Sequence, residues 1–388
     1  MRTESEDRDV IVIGGGVVGC AIAHELASDH EVLILEKGQV ASGATALAAG
    51  IIGLTNVYDD VPTLAGYVAS FFEAFDGTGD FQYTKRARVG LVRPEDESRA
   101  RREAKEKAEQ GVKATYLNTP ALREKYPRFD TSEIVGAVEY GARPGEGWLD
   151  PYTFAVTLKR EAEAAGVEFR TGTVVTDIDV ADGAVTGVKT ESGTIRAPTV
   201  VVASGWRTPG LLSDLMTLPV RPYQTQCIVL KPERRLNGDV PMGWVSGEHI
   251  YFRPEANGHL LVGGWSFAID DPVAASSDAS EEFRQHVATV IPDVFDGMDR
   301  AKFVNGWAGV DAATPDQRPI VDASDEGPEG LIVATGFHGR GVMTSPAAAR
   351  AVRSLLTDED APFSLEPFSL DRFDSRSPDF EFRSISDH

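Results

Sequence analysis

Cysteine is nearly absent. Cys20 and Cys227 are the only two in 388 residues, which excludes a disulfide framework and leaves no Cys-based metal site. No metal is expected, and the scarcity of thiols fits a reducing compartment, so a cytoplasmic location is expected. Long apolar runs are missing as well. The longest are of strand length, well short of the roughly 18 to 20 residues that cross a bilayer as a helix, so no membrane insertion is expected. The opening Met1-Arg-Thr-Glu-Ser-Glu-Asp has no apolar core, and no secretion signal is expected. Positive charge is also short: 38 Lys and Arg stand against 60 Asp and Glu, a formal net charge of −22. Such a field disfavours nucleic acid and anionic membranes as partners. No internal repeats are visible.

What remains is a globular composition, 42% hydrophobic and 25% charged, with length for a large core and about two domains. Lysine is scarce beside arginine, and the acids are spread over the whole chain. Distributed acidity of this kind resembles proteins of salt-loving microorganisms, whose carboxylates keep the surface hydrated. A halophilic source is the expectation, with an ordinary acidic mesophile as the alternative.

The most informative segment is Val10-Ile-Val-Ile-Gly14-Gly-Gly16-Val17-Val18-Gly19, followed by a helix-like stretch and Val32-Leu-Ile-Leu-Glu36. A buried strand, glycines at G-x-G-x-x-G spacing, a helix, a second strand and a terminal acid describe a dinucleotide-binding βαβ unit. Gly14 permits the tight turn, Gly16 lets a pyrophosphate approach the backbone, and Gly19 lets helix and strand pack closely. The phosphates are expected on the helix N-terminus, and a ribose diol on Glu36.

Further on, Ala41-Ser-Gly-Ala44-Thr45-Ala-Leu-Ala48-Ala49-Gly50 is rich in small residues, which suits a backbone close to a flat ligand or a helix with a small packing face. Residues 63–76 read as an amphipathic helix, 85–93 as a strand, 95–111 as a charged helix and 120–126 as a short helix. Asp150 and Pro151 read as N-cap and first residue of a helix over 152–165. Asp182-Gly183 reads as a hairpin turn, and 199–205 as a buried strand entering a glycine turn. The stretch 220–306 is β-rich, interrupted by a helix at about 279–290. A last buried strand at 330–336 opens into Phe337-His338-Gly339-Arg340-Gly341-Val342-Met343, with a helix expected from Pro346 to Leu356.

Five segments together resemble the D-amino-acid-oxidase-like FAD-dependent oxidoreductases, especially the sarcosine oxidase, dimethylglycine dehydrogenase and glycine oxidase branch. They are the N-terminal fingerprint, Gly43–Gly50, Gly147-Trp-Leu-Asp150-Pro151, Trp307–Asp316, and Ala334–Gly341. The resemblance covers roughly residues 8–373. It implies an α/β (α+β overall) fold in which a Rossmann-like FAD-binding domain is interleaved with a β-rich substrate domain. The expected division is 1–84, 145–215 and 304–374 for FAD, 85–144 and 216–303 for substrate, and a loose tail at 375–388.

The resemblance implies FAD in place of NAD. Gly14, Gly16, Val17 and Val18 are expected at the pyrophosphate, Glu36 and Lys37 at the adenosine ribose, and Ala44, Thr45, Ala48, Ala49 and Gly50 along the ribityl chain and isoalloxazine. Val175, Ser204 and Gly205 are expected near the adenosine half, and Gly339, Arg340, Gly341, Val342 and Met343 at the pyrimidine edge of the flavin. The family reaction is oxidation of a C–N bond, with hydride passing to flavin N5. The substrate class implied is a secondary or N-methylated amino acid of the sarcosine, dimethylglycine, glycine or proline type. Oxidation of a hydroxy acid or glycerol phosphate, and a mainly structural flavoprotein subunit, stand as alternatives.

A substrate carboxylate calls for a cation, preferably arginine. Tyr251 and Arg253 share one face of a strand, and Tyr251 matches a substrate-contacting tyrosine of glycine oxidases. The alternative for Arg253 is a surface or inter-domain ion pair. Arg340 is the second carboxylate candidate, and His338 is a flavin-facing or proton-relay candidate. Three positions depart from the relatives. Asp311 stands where glycine oxidases carry an arginine. Gly309 stands where monomeric sarcosine oxidases attach FAD through cysteine, so the FAD is expected to be non-covalent. Leu261 stands where they carry an oxygen-activating lysine, which favours a dehydrogenase. The expected partners are an amine or amino-acid substrate and oxygen or an electron carrier, with homo- or hetero-oligomerisation left open.

Overall fold

Val10–Ile13 is buried on both faces, and its alternate residues point into two different cores. Val10 and Val12 pack with the helices Val17–Leu26, Pro62–Phe75, Pro151–Ala164 and Gly341–Thr357. Ile11 and Ile13 pack with Ile178, Val185 and Val188 of a small antiparallel sheet on the other side. This is the pattern of a central strand in a sheet covered on both faces. The computed structural model describes residues 8–54, 61–141, 145–236, 240–357 and 359–385.

The central sheet has six strands in the order Ile320–Asp322, Leu331–Thr335, Thr199–Val202, Val10–Ile13, Val32–Glu36 and Glu168–Thr171. All pairs are parallel except that of Ile320–Asp322 with Leu331–Thr335. Strands far apart in sequence thus meet beside the first, and their C-terminal ends open where the glycine fingerprint turns into its helix. Ligands of open α/β sheets bind at such an edge.

A second sheet has eight strands: Lys302–Ala313, Arg221–Lys231, Leu260–Ala268, Ile250–Pro254, Met242–Val245, Arg88–Val92, Gly136–Tyr140 and Ala114–Asn118. One face carries Val89, Leu91, Ile228, Ile250, Phe252, Leu260 and Val262. They pack on Phe283, Val287, Ile291 and Val294 of the helix Glu281–Val294. Period-2 alternation leaves the opposite face for the cavity described below. A three-stranded sheet of Ile51–Gly53, Glu146–Trp148 and Thr84–Lys85 lies between the two large ones in chain order.

Three expectations need correction. The strand read over 85–93 is two strands in different sheets, because Lys85 pairs with Gly147 while Arg88 pairs with Tyr140 and Met242. The helix expected from Pro346 begins at Gly341. Proline cannot donate to the Val342 carbonyl, but the Ser345 hydroxyl does so at 3.1 Å, and the helix runs through. The tail expected to be loose makes defined contacts over its described part. The Phe380 carbonyl accepts from Arg221 Nη1 at 2.8 Å, and the Phe382 ring stacks on His338 at 5.5 Å.

Candidate active site

Gly14 has φ +111°, and a β-carbon there would lie 2.5 Å from the Ala203 carbonyl oxygen. Only glycine fits that turn. Gly16 differs: the atom nearest an added β-carbon is Thr45 Oγ1, at 3.4 Å. Protein packing does not demand glycine here, and the open space lies at the N-terminus of Val17–Leu26. Thr45 Oγ1 accepts the Val17 N–H at 3.0 Å, capping one free donor of that helix. Glu36 ends its strand with both carboxylate oxygens fixed, each accepting a backbone N–H at 2.7 Å, from Gly15 and from Gly38. Each oxygen keeps a further acceptor position for a ligand hydroxyl.

These groups line one cavity of about 940 Å³. Its wall includes Gly14, Gly16, Val17, Val18, Glu36, Lys37, Ala44, Thr45, Ala48, Ala49, Gly50, Val175, Ser204, Gly205, Gly339, Arg340, Gly341, Val342 and Met343. Every position that the resemblance assigned to the cofactor thus meets in one continuous space. Gly341, Val342 and Met343 enter that space as the first turn of a 17-residue helix, whose dipole favours negative charge there.

The other wall is the free face of the eight-stranded sheet. One rung crosses it as Trp307, Cys227, Gly263, Tyr251, Trp244, Gly90, Val138 and Tyr116. Large and minimal residues are neighbours in this row. Tyr251 lies over Gly263, where a β-carbon would come within 2.5 Å of the tyrosine ring, and Trp244 lies over Gly90, where it would come within 2.4 Å of the indole. The aromatic faces therefore form a flat floor. Tyr223 and Asp311, paired on neighbouring strands, line the same cavity nearer the glycine loop.

Of the four side chains proposed for substrate or proton transfer, Tyr251 and Arg340 line the cavity; Arg253 and His338 do not. Arg253 does share a face with Tyr251, but it is buried and its guanidinium is already engaged. Nη2 pairs with Glu255 at 3.0 Å, Nε donates to the Ala49 carbonyl, and the group lies 4.6 Å over the Trp148 ring. It ties the small-residue segment to the sheet. His338 is fully buried, its Nε2 lies 2.8 Å from the Arg383 carbonyl, and its ring is stacked on Phe382. Burial pushes its imidazole down to about 4, and it is neutral at neutral pH. Arg340 donates from Nη1 to the Gln317 carbonyl at 2.9 Å.

Sequence reading missed Arg88, Tyr140, Trp244 and Tyr223 as cavity residues. The signal for Arg88 was a cation inside an apolar strand, Arg88-Val-Gly-Leu-Val, on the parity opposite to Val89 and Leu91. Asp311 accepts the backbone N–H of Gly339 at 2.8 Å. Burial raises its carboxyl pKa. Among the described residues no group of three or more His, Cys, Asp or Glu is arranged to hold a metal ion. No helix among them is long and apolar enough to cross a membrane.

Comparison with known proteins agrees with this arrangement. The family described as "FAD dependent oxidoreductase" (DAO) matches residues 9–355. Glycine oxidase of Geobacillus kaustophilus is 29% identical over 94% of this chain and 97% of its own length. Its crystal structure superposes with a TM-score of 0.84, covering 95% of this chain and 100% of that one at 26% identity. Sarcosine oxidase subunit beta of an Arthrobacter species is 26% identical over 95% of this chain and 91% of its own. The L-proline dehydrogenase of P. horikoshii shares the fold, with a TM-score of 0.85 at 24% identity over 95% of this chain and 98% of that one. The glycine-lined space at the helix N-terminus fits a dinucleotide, and the chain belongs to the FAD-dependent oxidoreductases of the DAO family, with FAD as its cofactor.

Proposed function

We propose that the chain oxidises the C–N bond of a secondary or N-methylated amino acid of the sarcosine, dimethylglycine, glycine or proline type. The observation that carries this reading is the continuity of one cavity from the glycine fingerprint to the Tyr251–Trp244 floor. A small molecule on that floor shares the space of the bound dinucleotide. The names of the similar glycine and sarcosine oxidases point to the same class of small amino acid.

FAD supplies the hydride acceptor; the chain supplies position and charge. The first turn at Gly341–Met343 stabilises negative charge beside it. Tyr251 and Trp244 offer ring faces on which a small apolar amine can lie. With the imidazole of His338 neutral and buried, and Arg340 at the cavity wall, the fixed charge beside the flavin loop is arginine, not imidazolium. The apolar, buried Leu261 occupies the position matched to the oxygen-activating lysine of sarcosine oxidases, and supports transfer of electrons to a carrier in preference to oxygen. A cytoplasmic location and association with an electron-accepting partner complete the reading.

Anaerobic addition of sarcosine, dimethylglycine, glycine, proline, a 2-hydroxy acid and glycerol phosphate to the yellow protein tests it. Bleaching by one of the amines, with slower reoxidation by oxygen than by an artificial dye, is the expected result. Bleaching only by a hydroxy acid or glycerol phosphate, or by none of them, would remove the amine reading.

A further inference from the structure

Arg88 enters the cavity wall from the strand Arg88–Val92, in a setting built by four other strands. Its Nε lies 3.1 Å from Glu146 Oε2, with side-chain exposures of 14% and 1%. Its guanidinium carbon is 5.3 Å from the ring centres of both Tyr140 and Trp244. Its Nη1 passes over Gly53, where a β-carbon would come within 2.7 Å. Nη2 is buried and has no hydrogen-bond partner among the described residues.

A guanidinium has five N–H donors in a fixed fork. Glu146 stands on the Nε side of this one as an ion-pair partner at 3.1 Å, with Nε itself making no hydrogen bond among the described residues, and the two aromatic rings fix its plane. On the Nη edge, Nη2 remains a buried donor without a partner among the described residues, and such a donor costs free energy until an acceptor meets it. A planar carboxylate matches that edge geometrically. The other arginines considered for this task are engaged: Arg253 holds Glu255 and Ala49, and Arg340 holds Gln317.

We propose that Arg88 seats the carboxylate of the substrate, with Glu146 as the positioning residue that orients it and Tyr140 and Trp244 as its walls. The inference rests on the amino-acid reading above and narrows it to substrates with a free carboxylate. The competing role is purely structural, a counter-ion for the buried Glu146 between two sheets.

The test uses FAD-loaded protein and a non-reacting probe, pyrrole-2-carboxylate, whose binding is read from the flavin absorbance. The wild type should bind the acid at least about tenfold more tightly than its carboxamide. Arg88→Gln should weaken the acid about 10- to 100-fold and leave the amide unchanged. The double variant Arg88→Gln/Glu146→Gln removes both charges at nearly constant volume. It should fold as the wild type does and still bind acid and amide alike. Recovery of wild-type acid affinity in the double variant would show a counter-ion role only and overturn the proposal. So would an unchanged affinity in Arg88→Gln. In those two cases bleaching by an amino acid leaves the amine reading intact. A wild type that neither binds the acid nor is bleached by any amino acid loses both.

Discussion

Asp311 Oδ2 accepts the backbone N–H of Gly339 at 2.8 Å and lies 3.4 Å from the Tyr223 hydroxyl. One carboxylate thus fastens the glycine loop, through which the chain enters the Gly341–Thr357 helix, to the edge strand of the eight-stranded sheet. Asp311→Ala takes away the acceptor of the Gly339 N–H, a hydrogen bond worth about 0.5–1.5 kcal/mol. The loop lines the same cavity as the glycine fingerprint, so the expected outcome is FAD binding weakened by about tenfold, followed by the fluorescence of released flavin. Asp311→Asn keeps an acceptor and should lose less. Equal retention of FAD in all three proteins would show that the contact does not hold the loop.

Gly14 and Gly16 should respond differently to the same methyl group. Gly14→Ala forces a β-carbon against the Ala203 carbonyl at 2.5 Å in a left-handed backbone, and should lower the thermal midpoint of the apoprotein. Gly16→Ala meets only Thr45 Oγ1, at 3.4 Å, and should leave the apoprotein stable but deficient in FAD. Apo melting curves and flavin content per chain separate the two. Normal FAD content in Gly16→Ala would refute the reading of that space as the pyrophosphate seat.

Arg253→Ala should act on stability before it acts on substrate. It leaves Glu255 without its cation and the Ala49 carbonyl without its donor, a cost of about 2–4 kcal/mol for a largely buried pair. The urea midpoint should fall, while KM for a carboxylate substrate stays within about twofold. A sharply raised KM at unchanged stability would return Arg253 to the substrate site.

Acid should destabilise the protein through His338. Its folded pKa, about 4, lies below the ordinary 6.5 because burial disfavours the imidazolium. As pH falls, the unfolded chain takes up the proton first. The stability this neutral imidazole contributes is complete above about 6.5 and is lost between 6.5 and 4, roughly 2–4 kcal/mol in all. His338 has φ +51°, a conformation that asparagine tolerates. His338→Asn should therefore fold and show a flatter dependence of the urea midpoint between pH 7 and 5. Identical slopes would show that the histidine titrates normally.

The cofactor half of the site was legible in sequence because its chemistry is local. The turn, the helix start and the strand-end acid all fall between Gly14 and Glu36, where residue spacing is itself the geometry. The substrate half depends on which side chains have already been claimed, and pairing across sheets decides that. Arg253 carried a readable warning, since Glu255 follows two residues later and shares its side of the chain. Arg88 carried none: Glu146 is 58 residues away and comes beside it only where the two sheets meet. The start of the last helix was obscured for another reason. Pro346 normally marks a beginning, and a hydroxyl one residue earlier cannot be recognised from sequence as the substitute for its missing N–H.

Trp244 lies flat because position 90, on the adjoining strand, carries only a hydrogen. A methyl there would tip the indole upward and lower the ceiling available to anything resting on it. Headroom for the substrate is therefore governed from underneath, by a position no substrate touches. Selection for bulkier or slimmer substrates could tune this enzyme by editing its floor joists and leaving every contacting side chain as it is.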